Sequence, residues 1–366
     1  PPFPTIFQPL LMTVGSSLWT RRMGKASAVA PGDCALKDGI SLPAVLATSP
    51  RPCKSAEELP SAPTRQLTGG FKKVKGRPPT IDCAMVAAAD RANDPFSNAD
   101  CQHISDRFEV LESLGQGTSA VVYRARQLTS RKEVALKVLR VHDEELLRTA
   151  REEFELLATV EHPHIIRALD FFTFSRGAVL VLDFFHGLSL ETAVLDSSAR
   201  RLHESEARGL TAALLQAVAY LHDKGIIHRD VKAVNVLVDR GLTDLKLIDF
   251  NTARRLLDGA LTMTGTADYL PPEVLLGEPH TSASDVWATG LCLHLMLAGM
   301  LPLERHGFRS NEDFGLAVRS RHLEGGRLDH ISGPCRHVLD SCLALDPEVR
   351  PSAAEVLQCA WFAKTA

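Results

Sequence analysis

One short stretch, His228-Arg229-Asp230-Val231-Lys232-Ala233-Val234-Asn235, brings together a carboxylate, an ammonium and a carboxamide oxygen. Asp230 can accept a hydroxyl proton, Lys232 can neutralise a phosphoryl group in transfer, and Asn235 can ligate Mg2+ through its oxygen. Fourteen residues beyond Asn235, Asp249 closes the apolar run Leu245-Lys246-Leu247-Ile248 and is followed by Phe250 and Asn251. Hard oxygen ligands from Asn235 and Asp249 suit Mg2+ held between protein and polyphosphate. Upstream, Lys137 ends the apolar run Val134-Ala135-Leu136, an odd place for an ammonium unless something anionic meets it. Glu153 supplies that partner: it falls beside the apolar stripe Ala150/Phe154/Leu157, whereas Glu152 and Glu155 do not. Gly115 and Gly117 complete the set, because glycines let a turn's amide groups approach phosphate closely.

Each residue alone has a plain reading: a turn, a lysine reaching solvent, a solvated carboxylate. The ordered series Gly115/Gly117, Lys137, Glu153, Asp230, Asn235, Asp249 does not. A dinucleotide fold would need a helix after the glycines, yet Val121-Val122-Tyr123 continues as strand.

The elements that must position these groups are legible from Asp106 onward. Strand-like runs at 108–114, 120–125 and 133–139 precede a helical pattern at 143–160 and a strand pair at 165–171 and 178–184. After Gly187 the pattern turns helical, with 207–222, 284–297 and 335–343 the clearest segments. The expected fold is α+β and bilobal, a small β-rich lobe at about 106–185 followed by a larger α-helical lobe at 186–363.

Residues 1–105 read differently. They hold 13 of the 21 prolines, carry a net charge of +4 against −7 for the remainder, and lack sustained periodicity. Such a segment buries too little apolar surface to offset its ordering entropy, so a mostly disordered N-terminal extension is expected. Residues 1–32 contain no acidic side chain and loosely resemble a transit peptide. Lys72-Lys73-Val74-Lys75-Gly76-Arg77 resembles a basic import patch. A solvated tail is the plainer reading of both.

Composition excludes several classes. With 45% hydrophobic and 23% charged residues among 366, the chain is neither collagenous nor wholly disordered. A net charge of −3 offers no general attraction to nucleic acid. No run of about 18 apolar residues exists to span a membrane. The eight cysteines form no CxxC pair and no zinc-ligand spacing, so reduced thiols in an intracellular, cytoplasmic setting are expected.

Taken as an ordered series, these runs resemble the eukaryotic protein kinase domain of the serine/threonine type, over about residues 106–363. The calcium/calmodulin-dependent kinase group comes nearest. The resemblance implies ATP and Mg2+ as cofactors and protein serine or threonine hydroxyls as substrates. It makes Gly115–Val122 the lid over ATP, Lys137 the phosphate-binding lysine paired with Glu153, and Asp249 the metal-binding aspartate. It implies that Val122, Ala135 and Leu237 enclose adenine, with Leu182 as gatekeeper and Asp183–Phe185 as hinge. Glu273, in Tyr269-Leu270-Pro271-Pro272-Glu273, is expected to pair with Arg350, and Asp285 to brace the catalytic-loop backbone. Lys232 and Gly265-Thr266 match the serine/threonine-directed pattern. Ser189 and Val234 stand where arginine-directed members place carboxylates, so no strong preference for upstream arginine is expected. Arg229 beside Asp230 implies a phosphate on the activation segment at Thr262, or second at Thr264, added by an upstream kinase or by autophosphorylation. Ala120 and Asn251 replace glycines of the pattern; Asn251 in particular is expected to restrict flipping of Asp249. It is also the one feature favouring the alternative of a pseudokinase scaffold that binds partners without phosphoryl transfer. With the sequence ending at Ala366, no C-terminal calmodulin-binding helix is expected.

Overall fold

The computed structural model describes residues 103–116, 120–140, 144–174, 177–255, 264–320 and 328–363. The expected disorder of the N-terminal extension falls, but for its last three residues, outside the described residues, as do Gly117 and Thr262.

Five antiparallel strands form the first lobe: β1 (Phe108–Gln116), β2 (Ala120–Gln127), β3 (Glu133–Arg140), β4 (Ala168–Phe174) and β5 (Gly177–Asp183), in the order β1-β2-β3-β5-β4. Period-two alternation gives the sheet two faces. Val134, Leu136 and Val138 of β3 pack outward with Ile104, Phe108, Ala125, Val179 and Val181. Glu133, Ala135 and Lys137 therefore share the inner face, where Val122 pairs with Lys137, and Arg124 and Leu182 flank Ala135. Helix α1 (Glu144–Ala158) closes that face with Ala150, Glu153 and Leu157, one stripe at helical spacing.

The strand predicted at 165–171 lies three residues later. Ile165 and Ile166 are buried not by the first sheet but by the second lobe, through a bridge from Ile165 to Leu247 and the bond from Ile166 N to Leu247 O at 3.0 Å.

In the second lobe a three-stranded sheet joins β6 (Gly187–Ser189), β8 (Val236–Asp239) and β9 (Leu245–Leu247), and a short ladder joins β7 (Ile226–Ile227) to β10 (Arg254–Arg255). Its helices are α2 (Leu190–Asp196), α3 (Glu204–Asp223), α4 (Pro272–Leu275), α5 (Ser282–Ala298), α6 (Asn311–Ser320), α7 (Gly333–Cys342) and α8 (Ala353–Val356). A capping box between His203 and Glu206 starts α3, which buries one stripe from Ala207 to Leu221. Helix α5 is buried on every side from Ser284 to Ala298, the pattern of a core helix.

Among the described residues, no helix is long and apolar enough to cross a membrane. Cys292, Cys335 and Cys342 are buried free thiols, and burial pushes the pKa of Cys342 up to about 12. Such thiols are poor nucleophiles.

Candidate active site

Lys137 meets two carboxylates. Its ammonium lies 2.8 and 2.9 Å from the oxygens of Glu153 and 2.8 Å from Oδ1 of Asp249. Glu153 is only 3% exposed, while its neighbour Glu152 reaches outward toward Arg148 and Arg254. Burial alone would lower the Lys137 pKa, but Glu153 and Asp249 outweigh it and hold the ammonium above the ordinary lysine value. Burial would likewise raise Asp249; Lys137 outweighs it and holds the carboxyl below its usual range. One cation thus ties β3, α1 and the segment after β9.

Asp230 is the hub of the second cluster. Its Oδ1 accepts from Thr266 N at 3.0 Å and from Thr266 Oγ1 at 3.2 Å. Its Oδ2 lies 2.7 Å from the Lys232 ammonium and accepts from Asn235 Nδ2 at 3.0 Å. Lys232 also donates to Thr266 Oγ1 at 2.6 Å. The Asn235 amide nitrogen donates to Asp230 O at 2.9 Å as well, so its nitrogen, and not its Oδ1, serves this cluster.

The loop carrying this cluster is held from below. Arg229 has φ +69°, a left-handed conformation that a side chain disfavours. Fully buried Asp285 accepts from His228 N and Arg229 N, both at 2.9 Å, and fixes that turn. Sequence reasoning reached Asp285 but missed His222, whose Nε2 lies 2.9 Å from the same carboxylate. Gly265 has φ +98°, and a Cβ there would meet Arg229 O at 2.6 Å, so only glycine lets Thr266 reach Asp230.

With this geometry in place, the likeness to known proteins is decisive. The family described as "Protein kinase domain" matches residues 108–362. The chain belongs to the protein kinase family. The chain is 30% identical to Ribosomal protein S6 kinase alpha-6 of Danio rerio over 333 residues, 86% of this chain and 43% of that protein. It is 30% identical to Calcium/calmodulin-dependent protein kinase type IV of Mus musculus over 295 residues, 77% of this chain and 61% of that protein. It is 28% identical to Serine/threonine-protein kinase DCLK3 of Homo sapiens over 269 residues, 71% of this chain and 41% of that protein. The chain thus spans less than two thirds of each relative's length. The protein kinase family uses ATP and Mg2+.

The remaining expected residues lie on the first sheet, on the segment that follows it and on β8. Val122 and Ala135 lie on the inner face of the sheet, and Leu182 is buried opposite Ala135. On β8, Leu237 is the half-buried residue between fully buried Val236 and Val238, the one the core does not use. Asp183, Phe184 and Phe185 join the lobes, with Asp183 N bonded to Arg167 O at 3.0 Å and Phe185 O accepting from Gly187 N at 3.0 Å. Gly115 pairs with Val122 at negative φ with open space around it, so its backbone does not demand glycine.

Two observations concern the activation segment. Arg229 donates through its guanidinium to Thr264 Oγ1, and Thr264 O lies 3.1 Å from His280 Nε2. The residue with positive φ after β9 is Asp249, at +64°, and not Asn251, which is exposed. The glycine of the pattern is therefore not required at 251 in this conformation.

Proposed function

We propose that the chain is an active Mg2+- and ATP-dependent protein serine/threonine kinase. The observation that carries the reading is the double convergence of Lys137 on Glu153 and Asp249, and of Lys232, Thr266 and Asn235 on Asp230. In this reading Lys137, fixed by Glu153, holds the α- and β-phosphate oxygens of ATP. Asn235 Oδ1 and Asp249 fit Mg2+, being hard oxygen donors from two elements. Among the described residues no cluster of three or more His, Cys, Asp or Glu side chains stands ready to hold a metal, so phosphate and water oxygens would complete the ion's sphere. When bound, Mg2+ neutralises charge on the polyphosphate and orients it.

The chain's own groups then supply positioning and proton handling. Asp230 aligns the substrate hydroxyl and takes its proton as oxygen bonds to the γ-phosphorus and the bond to ADP breaks. Lys232 offsets negative charge on the group in transfer. Val122, Ala135 and Leu237 give adenine its apolar walls, Leu182 closes the back, and peptide groups of Asp183–Phe185 meet its polar edge. Gly115 and Gly117 keep side chains off the phosphates.

The test is phosphate incorporation from ATP into a generic protein substrate. Wild type labels serine and threonine, and Lys137→Met does not. Equal labelling by the two proteins would defeat the assignment. That Asn251 sits where backbone conformation does not call for glycine supports this reading over the scaffold alternative.

Ser189 and Val234 extend the reading to substrates. Ser189 Oγ caps α2, accepting from Thr192 N at 3.1 Å, and Val234 is exposed beside Asn235, so neither offers a carboxylate to an upstream arginine. Val234→Glu is expected to raise kcat/KM for a peptide bearing such an arginine by about two- to fivefold, roughly the worth of one exposed ion pair. A peptide series with and without arginine checks this.

Regulation is proposed at Thr262, where a phosphate would pair with Arg229 by charge-assisted hydrogen bonds. Thr262→Ala is then expected to lower kcat, measured on enzyme with defined phosphate content. Full activity in that variant would remove Thr262 and leave Thr264, already bonded to Arg229, as the candidate.

A further inference from the structure

Four side chains outside the proposed chemistry form a closed circuit between the first sheet and the segment after β5. Arg124 Nε and Nη2 donate to the two oxygens of Glu133 at 3.1 and 2.8 Å, and Nη1 donates to Glu112 at 2.8 Å. The guanidinium carbon sits 4.9 Å from the ring centre of Phe184. Phe184 meets the His186 ring edge-on at 4.7 Å, and His186 Nε2 returns to Glu133 Oε2 at 3.4 Å.

The placement of this circuit gives it meaning. Arg124 lies two residues from Val122 on β2, and Glu133 two residues from Ala135 on β3, so all four residues share the inner face of the sheet. Phe184 and His186 belong to the segment that joins the lobes. The circuit therefore links the strands above the proposed adenine pocket to the peptide groups at its edge. As ion pairs, partly exposed Arg124 and Glu133 contribute little. As a flat fork held on a carboxylate and laid on a ring, the arginine fixes direction, which a lysine could not do.

We propose that Arg124 is a positioning residue for nucleotide binding: it pins Phe184, and with it residues 183–185, beneath Val122 and Ala135. This rests on the kinase reading above. The experiment uses the full chain as wild type, Arg124→Ala, Arg124→Lys, Phe184→Leu and the Arg124→Ala/Phe184→Leu double variant. MgATP affinity is measured by displacement of a fluorescent ATP analogue, beside ATP KM, kcat, peptide KM and thermal midpoint. Each single variant is expected to raise the MgATP Kd and ATP KM by about 5- to 10-fold, roughly the worth of a partly desolvated cation–π contact. In the Arg124 variants peptide KM and kcat stay within about twofold. Arg124→Lys behaves like Arg124→Ala, since charge alone does not restore the fork, and the double variant is no worse than the weaker single, as shared contacts require. Unchanged MgATP affinity in both Arg124→Ala and Phe184→Leu overturns the proposal. So does a loss spread evenly over kcat, peptide KM and midpoint, which marks a merely structural role. If Arg124→Ala fails to fold, Phe184→Leu decides alone. If wild type binds MgATP but transfers no phosphate, the kinase reading fails while the Kd comparison still decides the role of Arg124.

Discussion

Asp230→Asn is expected to lower kcat by about 10²- to 10⁴-fold, the range for losing a positioned general base, while the protein stays folded. The reason is more than the lost proton acceptor. Both carboxylate oxygens of Asp230 are already ringed by donors: Thr266 N and Oγ1 on one side, Lys232 and Asn235 on the other. An asparagine must turn its NH2 toward one of these pairs, placing donor against donor, so the group is both displaced and unable to accept a proton. Binding of ATP is expected to change little, because Lys137, Glu153 and Asp249 form a separate cluster. Steady-state kinetics at saturating ATP, with the thermal midpoint as control, give the comparison. A variant within tenfold of wild type would show that Asp230 is not the base.

Arg350→Ala is expected to be the most destabilising of these changes, by about 3–5 kcal/mol, the cost of breaking a buried ion pair from one side. The Arg350 side chain is fully buried and spends its fork on four acceptors. It donates to both oxygens of Glu273 at 2.8 and 3.2 Å and to the carbonyls of Ala283 and Ala344. Its guanidinium also lies 5.0 Å from the Trp287 ring centre. Removing it strands the Glu273 carboxylate and two carbonyls in the interior at once. Glu273 is the second residue of the short helix α4, which follows Thr266 and Tyr269, so the damage extends to the segment that holds Asp230. Urea unfolding measures the loss. A midpoint equal to wild type would mean that water takes over these bonds.

Much of this arrangement is legible in the sequence, because it depends on residue type and spacing. Glu153 stood out from Glu152 and Glu155 through the apolar stripe beside it, and the buried stripe of α1 runs through it. Asp285 and Arg350 were reachable through the kinase resemblance, and both make the bonds it implied. Other features left no trace in sequence. Arg229 adopts left-handed backbone although arginine does not favour it, since neighbours impose the conformation, and the modest tolerance of aspartate for that region does not single out Asp249 from the chain's other aspartates. Expectation therefore fell on Asn251, two residues away. Ile165 and Ile166 read as strand because apolar periodicity cannot say which lobe buries a residue. The ladders of β6, β7 and β10 are too short for any pattern. The Arg124 circuit was missed because its members are individually ordinary surface residues, though the shared parity of Arg124 with Val122 and of Glu133 with Ala135 was there to be used.

The most direct test follows both products of one reaction. The chain is incubated with MgATP and a peptide whose only hydroxyl is a serine, and ADP and phosphopeptide are quantified together. Equal amounts of the two, abolished by chelating Mg2+ and by Asp230→Asn, are the predicted result. ADP without phosphopeptide, or phosphopeptide at the same rate from Asp230→Asn, would contradict the account.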